Sequence, residues 1–250
     1  MMLYDCGLPK VNFCYRCRLK SLLPHEQIRL VVDKNNFSYL LVALLVLLFG
    51  IPLADDLAIL SGPVVRAFLF SILFVIGVWS LRGSGWFFLA GIAFVVVGIL
   101  FNILAINSQS TIFLLGSFSS LFGFLFVAIA CTLKQVAVGS EVSVNRLVGA
   151  VCVYLLLGTM WAVAYTVLDL LAPGSFQGFS SLDDFGRDSE WLYFSFVTMT
   201  TLGYGDITPV SAIARFLAYS QAVFGQFYVA ILVAGLVSAY ISQNQSEIKD

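Results

Sequence analysis

Six runs of predominantly apolar residues frame this chain: Phe37–Leu53, Val64–Leu81, Trp86–Ile106, Thr111–Leu133, Leu147–Leu171 and Ser211–Ile241. About 20 such residues cross the hydrocarbon core of a bilayer as a helix. The composition agrees, at 60% hydrophobic and 11% charged, where a soluble domain carries about 25% charged residues. A net charge of −1 argues against a nucleic-acid partner, which needs a basic stripe. A seventh apolar stretch, Glu190–Thr201, is too short to span and reads as a re-entrant helix. The expected fold class is an all-α membrane protein of six transmembrane helices plus a re-entrant helix and loop.

Basic residues mark the cytoplasmic side of a membrane protein. Lys10, Arg16, Arg18, Lys20, Arg29 and Lys34 crowd the leader, and the Arg82–Gly85 turn and the Lys134–Arg146 connection are also basic. The connection holding Asp55 and Asp56 has no basic residue before Arg66, and Ala172–Glu190 holds Asp183, Asp184, Asp188 and Glu190 against Arg187. Six spans with both termini cytoplasmic, in the cell or plasma membrane, satisfy these loops. Arg215, at the outer start of the last span, is the discordant charge.

In that topology TMTTLGYGDITP, Thr198–Pro209, dips into the membrane from outside. Non-helical backbone at that depth is tolerated only where protein buries it or where it lines water. Gly203 and Gly205 adopt positive φ without steric cost. Alternating such residues with ordinary ones can turn successive carbonyls to one side. A column of carbonyls above the Thr201 hydroxyl can then replace a cation's hydration shell. The preceding helix aims its partially negative C-terminus at the same place.

These residues resemble the filter of the potassium-channel family, whose signature is T-V-G-Y-G; here it reads Thr201-Leu202-Gly203-Tyr204-Gly205, followed by Asp206. Trp191–Thr200 is similar to the pore helix of voltage-gated members. The resemblance implies a homotetramer in lipid that conducts K+. The carbonyls of Thr201, Leu202, Gly203 and Tyr204 would bind the ion, Gly205 would shape the outer mouth, and the Tyr204 ring would brace the filter from behind. Asp206, Thr200, Tyr193 and Phe194 would support it. Three departures stand out. Leu202 replaces the usual valine, Tyr193 and Phe194 stand where paired tryptophans are frequent, and Val197 occupies a glutamate position of some bacterial channels. The indole donor that commonly braces the aspartate is therefore missing.

The last span carries Gly225 where inner helices of the family often have a hinge glycine. Glycine at that place either permits bending or lets helices approach closely, and Gly235 could do either job too. The fourth span has no Arg or Lys, and the second and third no acid. Voltage sensing needs charge there, each charge contributing about 2.3 kcal/mol per 100 mV, so little intrinsic voltage dependence is expected.

The leader places Cys6, Cys14, Cys17 and His25 at C-x7-C-x2-C-x7-H. Four soft ligands suit structural zinc, but the spacing matches no strong template. A basic segment lying near anionic headgroups is the competing reading. No other cofactor is expected. The expected organisation is a leader over 1–36, four helices over 37–133, a linker over 134–146, a pore domain over 147–242 and a tail over 243–250. Within the pore domain lie an outer helix 147–171, pore helix 190–201, filter 201–206 and inner helix 211–242. The function this implies is passive K+ conduction. The alternatives are a weakly selective cation channel or a non-conducting subunit that modulates a partner channel. Catalysis is not expected, because the single histidine sits in the leader and the spans hold no nucleophile–base pair.

Overall fold

The computed structural model describes residues 36–56, 85–108, 110–137, 144–179 and 187–247. The run Val64–Leu81, the loop residues Asp183 and Asp184, and the leader with Cys6, Cys14, Cys17 and His25 lie outside them. The elements are α1 (Asn36–Asp56), α2 (Gly85–Ser108), α3 (Thr111–Ala137), α4 (Val144–Leu171), β1 (Phe176–Gln177), α5 (Arg187–Met199), β2 (Thr208–Pro209) and α6 (Ala212–Glu247). Everything that follows concerns the unit Phe37–Asp250.

Three described helices are long and apolar enough to cross a membrane, over Trp86–Ala105, Thr111–Val136 and Asn145–Leu171, and Phe37–Gly50 is a shorter apolar helix. α6 runs unbroken for 36 residues, about 54 Å at 1.5 Å per residue, without a charged residue between Arg215 and Glu247. The helices differ in what covers them. Only 6% of the apolar window of α2 is buried, against 56% for α4. α4 is the central post, while α2 presents Leu89, Val96, Ile99, Leu100 and Ile103 outward, as a helix that is apolar all round does in lipid.

Between helices in lipid there is little water to expel, so close fit decides association, and small residues provide it. The α2–α3 pair shows how. A side chain at Gly116 would come within 2.8 Å of the Phe101 ring, and one at Gly123 would strike the Phe94 ring. Each glycine is the notch that receives a phenylalanine. Between them, the Ser120 hydroxyl of α3 donates to the Phe94 carbonyl of α2 at 2.5 Å. α1 contributes Phe37, Leu40, Leu44 and Leu47 to a buried cluster that also holds Phe124 and Leu125 of α3 and Val153 and Leu156 of α4. That spacing is one helical stripe.

Helix ends extend past the hydrophobic runs. α3 continues to Ala137, and α4 starts at Val144, so the linker expected over 134–146 is largely helix at both ends. Arg146 explains part of this: its guanidinium donates to the Val136 carbonyl through Nε at 3.0 Å and a terminal nitrogen at 2.5 Å. A cation on the last carbonyls of a helix satisfies orphan acceptors there.

Candidate functional site

α5 begins at Arg187 and ends at Met199, two residues short of the expected end at Thr201. The chain then turns. Thr201 N–H donates to the Thr198 carbonyl at 3.0 Å, and Leu202 and Gly203 N–H both donate to the Val197 carbonyl, at 2.9 and 3.4 Å. The base of the filter segment thus hangs from the C-terminal carbonyls of α5.

From there the backbone alternates. Thr201, Gly203 and Gly205 have φ of 59°, 59° and 81°, while Leu202 and Tyr204 do not enter the left-handed region. This is the alternation that turning successive carbonyls to one side requires. At Gly203 and Gly205 it carries no steric penalty. At Thr201, a β-branched residue, left-handed φ costs about 1–2 kcal/mol. The Thr201 hydroxyl donates to the Thr200 carbonyl at 2.7 Å, and Gln226 of α6 approaches the same hydroxyl at 3.5 Å. Thr200 bonds back to the Phe196 carbonyl at 2.7 Å. Residues 201–206 are all exposed within the single chain, Leu202 and Tyr204 included. The bracing expected of the Tyr204 ring is therefore not supplied by the described residues of the same chain.

Asp206 is held on both oxygens. The Tyr193 hydroxyl donates to Oδ2 at 2.5 Å, and Ile207 N–H donates to Oδ1 at 2.9 Å. The absent indole is thus replaced by the phenol of Tyr193, one of the residues expected to support the filter. The Tyr193 hydrogen bond holds the Asp206 carboxyl below the usual carboxylate range, with the Ile207 N–H assisting. The same bond pushes the Tyr193 hydroxyl up to about 12. Phe194, the neighbour, points the other way. It packs edge-on to Tyr165 at 4.9 Å and to Phe176 at 5.6 Å between centroids, and Phe176 meets Trp191 at 4.9 Å. This aromatic cluster fixes the N-terminal part of α5 against α4.

A clasp joins the chain before α5 to the chain after the filter segment. β1 and β2 pair antiparallel, Phe176 with Pro209 and Gln177 with Thr208. The Ser175 carbonyl accepts from Val210 N–H at 2.8 Å and from Ser211 N–H at 3.3 Å, and the Gln177 amide donates to the Thr208 hydroxyl at 3.1 Å. Gly178, with φ of 99°, lies so close to Asp206 that a side chain would sit 2.9 Å from its carbonyl carbon and nearer still to its oxygen. Arg215, discordant by charge, donates through Nε to the Pro209 carbonyl at 3.3 Å and so braces β2.

Gly225 is in contact rather than in free space. A side chain there would come within 2.6 Å of the Met199 carbonyl and 2.9 Å of its side chain, whereas Gly235 has nothing within 4 Å among the described residues. Close approach of α6 to the end of α5 is the reason the structure gives for glycine at 225.

The sequence has relatives. Residues 149–242 match a family model described as "Ion channel". The chain is 39% identical over 59 residues to Two-pore potassium channel 3 of Arabidopsis thaliana. It is 41% identical over 66 residues to Two pore potassium channel c of Oryza sativa subsp. japonica. These matches cover 24% and 26% of this chain but only 14% of each relative. No solved structure matches the chain. The chain is thus similar to an ion-channel family over residues 149–242 and, over shorter stretches, to potassium channels.

Proposed function

We propose that four copies of this chain assemble around a common axis into a potassium-selective channel that conducts K+ passively through Thr201–Gly205. The observation that carries the reading is the alternation of left-handed backbone at Thr201, Gly203 and Gly205, hung from the end of α5. Carbonyls so arranged replace a hydration shell only when they ring the ion. One chain contributes one such strand, and in the single chain that strand is uncovered. Other copies would bury Leu202 and Tyr204 and close the ring. The remaining described helices and the run Val64–Leu81 make up six spans, with both termini on the cytoplasmic side and the acidic loop outside. α3 contains no basic residue before Lys134, which supports a channel not conventionally gated by voltage. No cofactor is assigned beyond K+ itself, and the leader cysteines are read as part of a basic juxtamembrane segment.

A weakly selective channel rested partly on the missing indole brace. The Tyr193–Asp206 hydrogen bond weakens that alternative. A silent accessory subunit has no need of a strained threonine at 201.

Purified protein in defined lipid vesicles tests the proposal. K+ flux is expected, with a reversal potential under K+/Na+ gradients that follows K+ and an open probability nearly flat with voltage. Gly203→Ala, which forces a side chain onto left-handed backbone, is expected to abolish flux while the protein stays in the membrane. Unaltered flux in that variant sinks the filter assignment.

A further inference from the structure

Gln221 of α6 is fully buried, as are Ser195 of α5 and Tyr165 of α4. Polar side chains at such places are retained only when their partners are complete. Here they are closely matched. The Tyr165 hydroxyl donates to Gln221 Oε1 at 2.6 Å. Gln221 Nε2 donates to the Ser195 carbonyl at 3.1 Å and to the Ser195 hydroxyl at 2.7 Å. The Ser195 hydroxyl donates in turn to the Gly158 carbonyl of α4 at 2.7 Å. The orientation of the amide follows, since turning it over would set its oxygen against the Ser195 carbonyl.

Gln221 thereby grips α5 at Ser195, two residues before Val197, whose carbonyl carries the N–H groups of Leu202 and Gly203. One turn further along α6, Gly225 rests on Met199. The two contacts lie four residues apart on each helix, so they oppose both rotation and sliding of α5 along α6. The Gly158 notch receives the Phe196 ring, with 2.5 Å between that ring and a side chain built there, and closes the third side.

We propose that Gln221 is a positioning residue for the filter, acting through its amide on Ser195 to fix the height and rotation of α5 and so of the backbone at Leu202 and Gly203. This rests on the channel reading of the same segment. The bond to Tyr165 ties α6 to α4 and serves packing; the bonds to Ser195 serve the filter. The two arms are separable by mutation.

The test measures the K+/Na+ permeability ratio in vesicles and the melting temperature of the same purified tetramers. Gln221→Met keeps the length of the side chain and removes both arms. The ratio is expected to fall at least tenfold, since misplacement of about 1 Å at a binding centre has effects of this order or larger. Ser195→Ala removes one acceptor and leaves the carbonyl, for a loss of about threefold. Tyr165→Phe cuts only the α4 arm. It is expected to lower the melting temperature and leave the ratio within about twofold, because the bonds to Ser195 persist. An unchanged ratio in Gln221→Met beside a lowered melting temperature overturns the proposal, as does an equal loss of ratio in Tyr165→Phe. Should Gln221→Met not assemble, Ser195→Ala decides: a wild-type ratio there overturns it. Wild-type protein that passes no K+ refutes the channel reading and this role with it. Selective flux that Gln221→Met and Ser195→Ala leave intact refutes the role of Gln221 alone.

Discussion

Gly178→Ala offers a sharp perturbation of the outer pore, because Gly174 provides its control. Both glycines have left-handed φ, 99° at Gly178 and 83° at Gly174, so an alanine at either suffers the same class of backbone penalty, about 1–2 kcal/mol. They differ in what the new methyl meets. At Gly174 nothing lies within 4 Å; at Gly178 the Asp206 carbonyl carbon stands 2.9 Å away, with its oxygen closer. Comfortable carbon–carbon contact begins near about 3.5 Å, so the two segments must part by at least about 0.6 Å, and by more at the oxygen. What moves is the residue immediately beyond the filter, along with the β1–β2 pairing that holds it. Gly178→Ala is expected to reduce K+ flux per tetramer about tenfold or more, since shifts of this size at a binding centre have effects of that order. Gly174→Ala is expected to lower the melting temperature slightly and to keep flux within about twofold, having strain but no clash. Flux assays on reconstituted protein normalised to tetramer content measure both. Equal flux in the two variants refutes the idea that the clasp positions the filter exit.

Two further outcomes follow from the same geometry. Tyr193→Phe removes the donor that holds the Asp206 carboxyl low. A depressed acid contributes stability above its unfolded value and loses it only as pH falls through the folded one. Wild-type current therefore tolerates external acidification below the ordinary carboxylate value of about 4, and Tyr193→Phe moves the loss of current to higher pH; coincident acid titrations in the two proteins count against the brace. At the alkaline end the hydroxyl, pushed up to about 12, keeps its proton and the bond through pH 10. Gly225→Ala drives a methyl toward the Met199 carbonyl, and overpacking of this kind costs about 1–3 kcal/mol. Both melting temperature and K+/Na+ permeability ratio are expected to fall. A change in open probability alone, measured by single-channel recording, instead favours bending at this position.

The elements that hydropathy names were legible because lipid demands long apolar helices whatever surrounds them. Trp86–Ile106 became Gly85–Ser108, and Leu147–Leu171 became Val144–Leu171. Their ends differ because backbone hydrogen bonding continues into polar residues: Val144, Asn145 and Arg146 form a first turn that Arg146 secures to α3. The left-handed positions at Gly203 and Gly205 were legible from residue type. Thr201 was not, since nothing local in a threonine announces positive φ. The partners of Gln221 escaped because they lie far off in the sequence, Tyr165 being 56 residues from Gln221. A polar residue inside an apolar run looks like a blemish until its opposite number is seen. The clasp escaped for another reason: strands of two residues leave no periodicity to read. Gly178 belongs to it, and its need for glycine comes from the approach of Asp206 as well as from its own positive φ.

The meshing of α2 with α3 bears on what the peripheral helices can do. Phe101 and Phe94 sit in notches at Gly116 and Gly123, one heptad apart on each helix. A ratchet of α3 by one turn, about 5.4 Å, carries those rings off the glycines. Four residues either way along α3 the positions that would face Phe94 and Phe101 carry side chains, Val127 and Ser120 on one side and Ser119 and Ile112 on the other. The pair is keyed like a shaft in a slotted collar, free to tilt as a body but not to slip along its own length.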